Sequence, residues 1–266
     1  SFKPSSQCLS FIWYCPDHVR AWRKSVYVDL GGHNQTLSVC DDHELLIRSY
    51  LKTKFHYIPK CLYIYRFHTD GGNTYLTRNA EVQKTTVELF HKYGYELAER
   101  DCELKGLKKV DLGGGLFSRE GYTTIDKESA DIVCDLNEGI PLPDNSVGIL
   151  NASHVLEHLK DPIKIMTEIH RVLCHGGWAM IDVPSTDGRG AWMDPTHVSY
   201  WNELSFLYYT NQDQAQYIRN STIRFQSFRC ETHFPGPWYK NNNIPVVTTW
   251  LSCVKSGTRL PHVLSI

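Results

Sequence analysis

Three consecutive glycines, Gly113-Gly114-Gly115, close a run that reads as a short apolar strand over 108–112. With no Cβ and with positive φ allowed, such a turn lets a ligand approach the backbone closely. Two carboxylates belong with it. Asp126 ends the next strand-like run, 122–126, and Asp135 follows a third, 131–134; strand ends of this kind face the ligand crevice of an open α/β sheet. A carboxylate at the end of the second strand is suited to accept both hydroxyls of a ribose. Farther along, Asp194 and His197 are spaced so that a turn at Pro195 brings a carboxylate to an imidazole and orients the ring as a general base. His154, beside the end of a fourth strand, is the second candidate base. His154 and His158 also flank Glu157 at a four-residue spacing that can ligate a metal. Each feature has a plainer reading: a tight turn, solvated surface acids, a loop histidine bonded to a backbone carbonyl.

The elements that must position these groups follow from hydrophobic periodicity. Val82, Thr86, Leu89, Phe90, Tyr93 and Leu97 recur at three- and four-residue spacing, which predicts an amphipathic connector helix over 81–99. Strands over 108–112, 122–126, 131–134 and 147–152 come next, then a short helix at 154–159. Asp161 is a good N-cap with Pro162 at the first helical position. Ile163, Met166, Ile169, Val172 and Leu173 form the buried stripe of a helix that Gly176-Gly177 should stop. Residues 178–183 read as a buried strand, and 222–234 with 246–254 as a closing antiparallel hairpin at one sheet edge. The fold class expected is α/β, a doubly wound, mostly parallel sheet with helices on both faces and an antiparallel edge hairpin. The loop after Pro184 lies where a site-covering segment belongs, and Trp192, Tyr200, Trp201, Phe206, Tyr208 and Tyr209 around it could line an acceptor pocket.

Length and composition bound the function. The 266 residues amount to one domain and a fraction, divided here into a segment 1–80, a connector 81–103 and a domain 104–266. Net charge is −1 with no basic run, so a nucleic-acid partner is not expected. There is no run of 18 apolar residues to span a membrane. Nine scattered cysteines without a Cys-x-x-Cys read as reduced thiols of a cytoplasmic protein, with no disulfide framework or zinc site expected. The missing initiator Met is read as the mark of a C-terminal piece of something longer.

The blocks VDLGGG, a strand ending in Asp126, DLNEGIPLPDNSVGILNASHVLEHL and RVLCHGGWAMIDVP occur in order over about 107–255 and resemble the class I S-adenosylmethionine-dependent methyltransferases. A nicotinamide-binding turn is the competitor, but Ser118 stands where G-x-G-x-x-G needs its third glycine. The resemblance implies S-adenosyl-L-methionine as cofactor. Asp111, Gly113 and Gly115, with Gly114 between them, would contact its methionine moiety, Asp126 its ribose, and Asp135 and Leu136 its adenine. Asn151 to His154, Ser153 included, would floor the site beneath the sulfonium. In that family the His-x-x-Glu-His block packs and caps beside the cofactor, so no metal is expected. One departure is that Asp111 and Asp126 are only 15 residues apart, which reduces the first crossover helix to a turn.

Residues 9–78 resemble the C-terminal half of family 2 GT-A glycosyltransferases, in which a Gly-Gly turn precedes an acidic pair opening a helix, a Tyr-Ile-Pro strand and a Tyr-x-Tyr-Arg-x-His segment. Asp41 and Asp42 match the acidic pair, and Asp42 would be the acceptor base, although such a pair is also a good N-cap. The Asp-x-Asp nucleotide-binding half is missing, Asp17 and Asp29 being the only earlier acids, so no glycosyl transfer by this chain alone is expected. The function expected is O-methylation of a sugar hydroxyl on a glycan or its precursor, within a glycosyltransferase–methyltransferase fusion whose upstream half is a possible partner. Alternatives are methylation of an unrelated small metabolite or lipid head group, and a non-catalytic docking module.

Overall fold

Asp41, Asp42 and Glu44 crowd three carboxylates into the first turn of helix α1 (Asp41–Lys52), where the helix dipole favours negative charge. The computed structural model describes residues 4–10, 18–64, 74–115, 119–219 and 223–255, with only the backbone of Tyr75 and Leu76. Ser118, Asp17, Cys15, Thr222 and most of the Tyr63–His68 segment lie outside the described residues. The chain divides into two units, Ser1–Leu104 and Lys105–Ile266.

In the first unit the expected amphipathic helix is α2 (Asn79–Lys105), and all six residues of its predicted stripe are buried. Its Val82, Leu89, Tyr93 and Leu97 pack with Leu46, Ile47 and Tyr50 of α1 and with Leu9 and Val39, so the helix read as a connector is a wall of this unit's core. Cys40, at φ 60°, holds the N-cap position of α1 without a side-chain cap, and the acidic pair lies inside the first turn. The Tyr-Ile-Pro stretch is a correction: residues 54–64 form neither helix nor strand, and Pro59 removes a ladder donor there.

Glu44 is buried and held on both oxygens, by Arg48 Nε at 2.8 Å and Tyr93 Oη at 2.8 Å, while Arg48 Nη2 donates to the Gly32 carbonyl at 2.7 Å. Burial opposes ionisation of Glu44, but the bonds from Arg48 and Tyr93 override it and hold its carboxyl below the ordinary 4.5. A depressed carboxyl stabilises the fold above its unfolded pKa, and this contribution is lost as pH falls through the lower folded value. Arg48→Ala strands the carboxylate, and a loss of about 3 kcal/mol is expected near neutral pH. Denaturant unfolding with α1 amide exchange as the readout should show the gap to wild type narrowing below about pH 4. A gap independent of pH would refute this account.

In the second unit seven strands form one sheet: β1 (Lys108–Leu112), β2 (Thr123–Asp126), β3 (Ile132–Val133), β4 (Val147–Ser153), β5 (Leu173–Pro184), β6 (Phe225–His233) and β7 (Val246–Cys253). Their order is β3-β2-β1-β4-β5-β7-β6. The first five are parallel, and β7 runs antiparallel to both β5 and β6, as the edge hairpin requires. β4 is buried on both faces through Ala152, as a central parallel strand is, with Asn151 the one polar side chain in that stretch.

Helix α3 (Pro162–Val172) begins as expected, with the Asp161 carboxylate accepting from Ile163 N and Lys164 N. Its stripe needs correction: Ile163 is 37% exposed and Ile165 is buried instead with Met166, Ile169 and Val172. Gly176-Gly177 does not stop it either. Strand β5 starts directly at Leu173, and the glycines lie in a bulge where the pairing with β4 jumps from Val147–Leu173 to Ile149–Trp178. The short helix expected at 154–159 is a single 3-10 turn, Leu156–His158. Among the described residues α3 is the one crossover helix longer than five residues, so the helical cover of this α/β sheet is thinner than its strand pattern implies. No helix of the described residues is long and apolar enough to cross a membrane.

Candidate cofactor and active site

Gly113 follows β1 at φ +67°, and its N–H donates to the Ile125 carbonyl of β2 at 2.8 Å, which bends the loop over the carboxyl ends of both strands. A Cβ at this position would stand 2.0 Å from Val155 Cγ2, so only glycine fits. A Cβ on Gly115 would lie 3.1 Å from Asp126 Oδ2, which shows that this carboxylate faces the glycine loop. Asp126 Oδ1 accepts from Lys127 N at 2.5 Å, leaving Oδ2 as the oxygen turned toward the loop. A cradle that a Cβ would fill and a carboxylate oxygen beside it suit the methionine and ribose parts of a nucleoside cofactor.

Beneath the loop, Asp111 of β1 and Asn151 of β4 are register partners. Asn151 Nδ2 donates to Asp111 Oδ1 at 2.7 Å, and burial pushes the Asp111 carboxyl up despite that bond. Gly114 packs against the same carboxyl, where a Cβ would be 3.1 Å from Asp111 Cγ. Asp135 Oδ1 accepts from Asn137 N and Nδ2, both at 2.9 Å, and the backbone bond holds its carboxyl down. Leu136 turns its side chain into the sheet core. Ser153 ends β4, half-buried opposite Asp182 of β5.

His154 comes next, in the left-handed region at φ 54°, its N–H bonded to the Asp182 carbonyl at 2.9 Å. Its imidazole is half-exposed, with Nδ1 3.3 Å from Glu157 Oε1. The Glu157 carboxylate pushes this imidazole up, against the opposing effect of burial. His197 is placed otherwise. Its side chain is 7% exposed, Nδ1 meets the Ala191 carbonyl at 3.1 Å, and Nε2 stands 3.8 Å from Asp194 Oδ2. The turn at Pro195 does bring carboxylate and imidazole together, but beyond hydrogen-bond length and with the ring enclosed, which weakens the case for His197 as a base in contact with an acceptor.

Sequence reasoning missed a second convergence. Val198 N and Ser199 N donate to the Glu157 backbone carbonyl at 2.8 and 3.0 Å, which folds the loop back on the 3-10 turn and stacks the His197 ring edge-on to His158 at 4.9 Å. The aromatic cluster also divides: Trp201, Phe206 and Tyr209 belong to the core. Trp192 and Tyr200, 59% and 48% exposed, stack on each other at 4.5 Å. Trp192 and Met193 border a cleft of about 480 Å³ with Thr186, Asp187, Arg189 and Asn243. In the first unit, Asp42 is not a free base. Arg20 Nη1 lies 2.6 Å from its Oδ2, and although burial works against ionisation, that partner holds the carboxyl below the ordinary value.

Solved structures similar to this chain include an S-adenosylmethionine-dependent methyltransferase from Mesorhizobium loti, 15% identical over 55% of this chain and 91% of that chain with a TM-score of 0.38. Others come from Aquifex aeolicus (16%, 59% and 89%, TM-score 0.37) and Methanosarcina mazei (13%, 56% and 93%, TM-score 0.41). No curated protein matches. Residues 113–181, from the glycine loop into β5, match a family model described as a methyltransferase domain. Over this stretch the chain is similar to a methyltransferase domain. The matched segment contains the loop glycines, Asp126, Asn151, His154 and Glu157.

Proposed function

We propose that the chain is an S-adenosylmethionine-dependent methyltransferase that transfers the methyl group to a hydroxyl of a sugar, with His154 as the base. The observation that carries this is the half-exposed imidazole of His154 at the carboxyl end of β4, held by Glu157 and followed directly by the Val155 that packs on Gly113. When bound, S-adenosylmethionine supplies a methyl group on a positively charged sulfur. The chain has to hold that cofactor, align the acceptor and remove one proton. Asp126 Oδ2 accepts from the ribose, and the Gly113–Gly115 backbone takes the methionine end over Asp111 and Asn151. Asp135 and the backbone at Leu136 edge the adenine. The acceptor hydroxyl gives its proton to His154 Nε2, since Nδ1 is engaged by Glu157, and Glu157 balances the charge that the ring acquires.

Sugar is favoured as acceptor by the stacked faces of Trp192 and Tyr200, which suit the C–H face of a pyranose, with Asp187 and Arg189 in the adjoining cleft to bond its hydroxyls. The glycosyltransferase-like pattern of residues 9–78 points the same way, to a fusion in which an upstream half supplies the nucleotide-sugar site. The described cysteines, all free, suit a reducing cytoplasmic setting. Cofactor turnover against a panel of glycans, small metabolites and lipid head groups, with the O-methyl product read by mass spectrometry, tests the proposal. Turnover confined to non-sugar acceptors would overturn the sugar reading, and failure to bind cofactor at high micromolar concentration would leave a docking module.

The ribose contact is testable by itself. Asp126→Asn exchanges a charge-assisted acceptor for a neutral one, a change of about 1.5–3 kcal/mol, or roughly 10- to 150-fold in affinity. Calorimetric titration with S-adenosylmethionine measures it, and an unchanged Kd would remove Asp126 from the site.

A further inference from the structure

We infer that Glu157, His158 and His197 form a binding site for a divalent transition-metal cation of the zinc type. One ligand atom from each of the three lies within 4.8 Å of the other two. This departs from the expectation that the His-x-x-Glu-His block holds no metal, and it uses a different set, since His197 arrives from a loop forty residues on.

The carboxylate is the first argument. Glu157 is 2% exposed, and its Oε2 accepts no hydrogen bond among the described residues. His154 Nδ1 approaches Oε1 at 3.3 Å, which leaves Oε2 with no partner. A buried carboxylate oxygen in that state is costly, and a cation beside it removes that cost.

The imidazoles supply the second argument, because both are wired as metal-binding histidines usually are. Such rings donate the N–H that does not face the metal to a carbonyl, carboxylate or similar acceptor, which fixes the tautomer and turns the other lone pair outward. His197 Nδ1 is bonded to the Ala191 carbonyl at 3.1 Å. His158 Nδ1 meets Thr196 Oγ1 at 3.1 Å, and that hydroxyl donates onward to Asp194 Oδ1 at 2.6 Å. Since the hydroxyl gives its hydrogen to Asp194, it accepts from His158, so Nδ1 carries the proton and Nε2 is the free nitrogen. In both rings, therefore, Nε2 is available. Asp194 Oδ2, 3.8 Å from His197 Nε2, adds negative charge at the rim.

Two imidazoles and one carboxylate are a zinc-type donor set; magnesium and calcium prefer oxygen throughout. Ligands at about 2.1 Å from a tetrahedral ion stand about 3.4 Å apart, so the present spacing has to close by little more than about 1 Å. His158 is the exposed member of the set.

The test uses the full chain, freed of metal with a chelator and kept in a thiol-free reductant. Titration calorimetry with zinc chloride should show one equivalent bound by wild type. His158→Ala, at an exposed position that should leave folding intact, should weaken binding at least about 10-fold, and Thr196→Ala, which removes the anchor of His158 together with the hydroxyl's bond to Asp194, should weaken it about 10-fold as well. Cobalt(II) substitution should give visible ligand-field bands without the intense near-ultraviolet thiolate band that cysteine ligation produces. Absence of zinc binding by wild type, retention of full affinity in both His158→Ala and His197→Ala, or a dominant thiolate band would each overturn the site.

Discussion

Gly113→Ala should abolish measurable cofactor binding and destabilise the sheet unit by about 3 kcal/mol. Two separate effects add. At φ +67° an L side chain carries the left-handed penalty of about 1–2 kcal/mol, and the new methyl would sit 2.0 Å from Val155 Cγ2, an overlap that costs about 1–3 kcal/mol to relieve. Relief means moving either the loop or the segment that carries His154 and Val155, and both border the proposed cofactor site, so an affinity loss of at least about 100-fold should accompany the stability loss. Adding Val155→Ala to Gly113→Ala opens the space but leaves the strained φ, and should restore about half of the stability. Calorimetric titration and denaturant unfolding read both quantities. Wild-type affinity and stability in the single variant would show that the loop is not built around this contact.

His154→Ala should lower kcat by about 100- to 10,000-fold, the range lost when a positioned base is removed, while the affinity for S-adenosylmethionine stays near wild type. The pH profile separates a base from a packing residue. A histidine works as a base only when neutral, and Glu157 raises this one above the ordinary 6.5. Wild-type kcat should therefore rise through an inflection above pH 6.5, and the residual rate of His154→Ala should lack that inflection. His197→Ala, which removes an enclosed ring, should keep the inflection. Retention of full rate in His154→Ala would sink the mechanism.

Much of the sheet unit was legible because its signals are local. Val147 to Ala152 is buried on both faces, and its first four residues, through Leu150, read as an apolar run, and the Asp161-Pro162 start of α3 is a matter of two adjacent residues. The glycine loop with Asp126 was legible for a related reason: parallel strands in register put their carboxyl ends side by side. What failed depends on facts that no window contains. Gly176-Gly177 is as good a helix stop as a strand bulge until the pairing with β4 decides. Trp201 and Trp192 look alike in sequence, yet one is core and the other is exposed, because the loop crosses from the sheet to the surface between them. The meeting of Glu157, His158 and His197 rests on two backbone bonds from Val198 and Ser199 to one carbonyl. Residue types gave Asp194 and His197 as neighbours through the turn at Pro195, but nothing in their spacing shows which ring nitrogen the backbone claims.

The position of β7 between β5 and β6 also governs how the chain is made. Synthesis delivers β6 before the strand that joins it to the sheet. Until Val246–Cys253 has emerged, β5 keeps one side open from Trp178 to Pro184, and Phe225–His233 has no neighbour. A nascent chain stopped there exposes two unpaired strand edges at once, each able to pair with a copy from an adjacent ribosome. Yield in expression should thus depend less on the strength of the finished core than on how briefly that interval lasts.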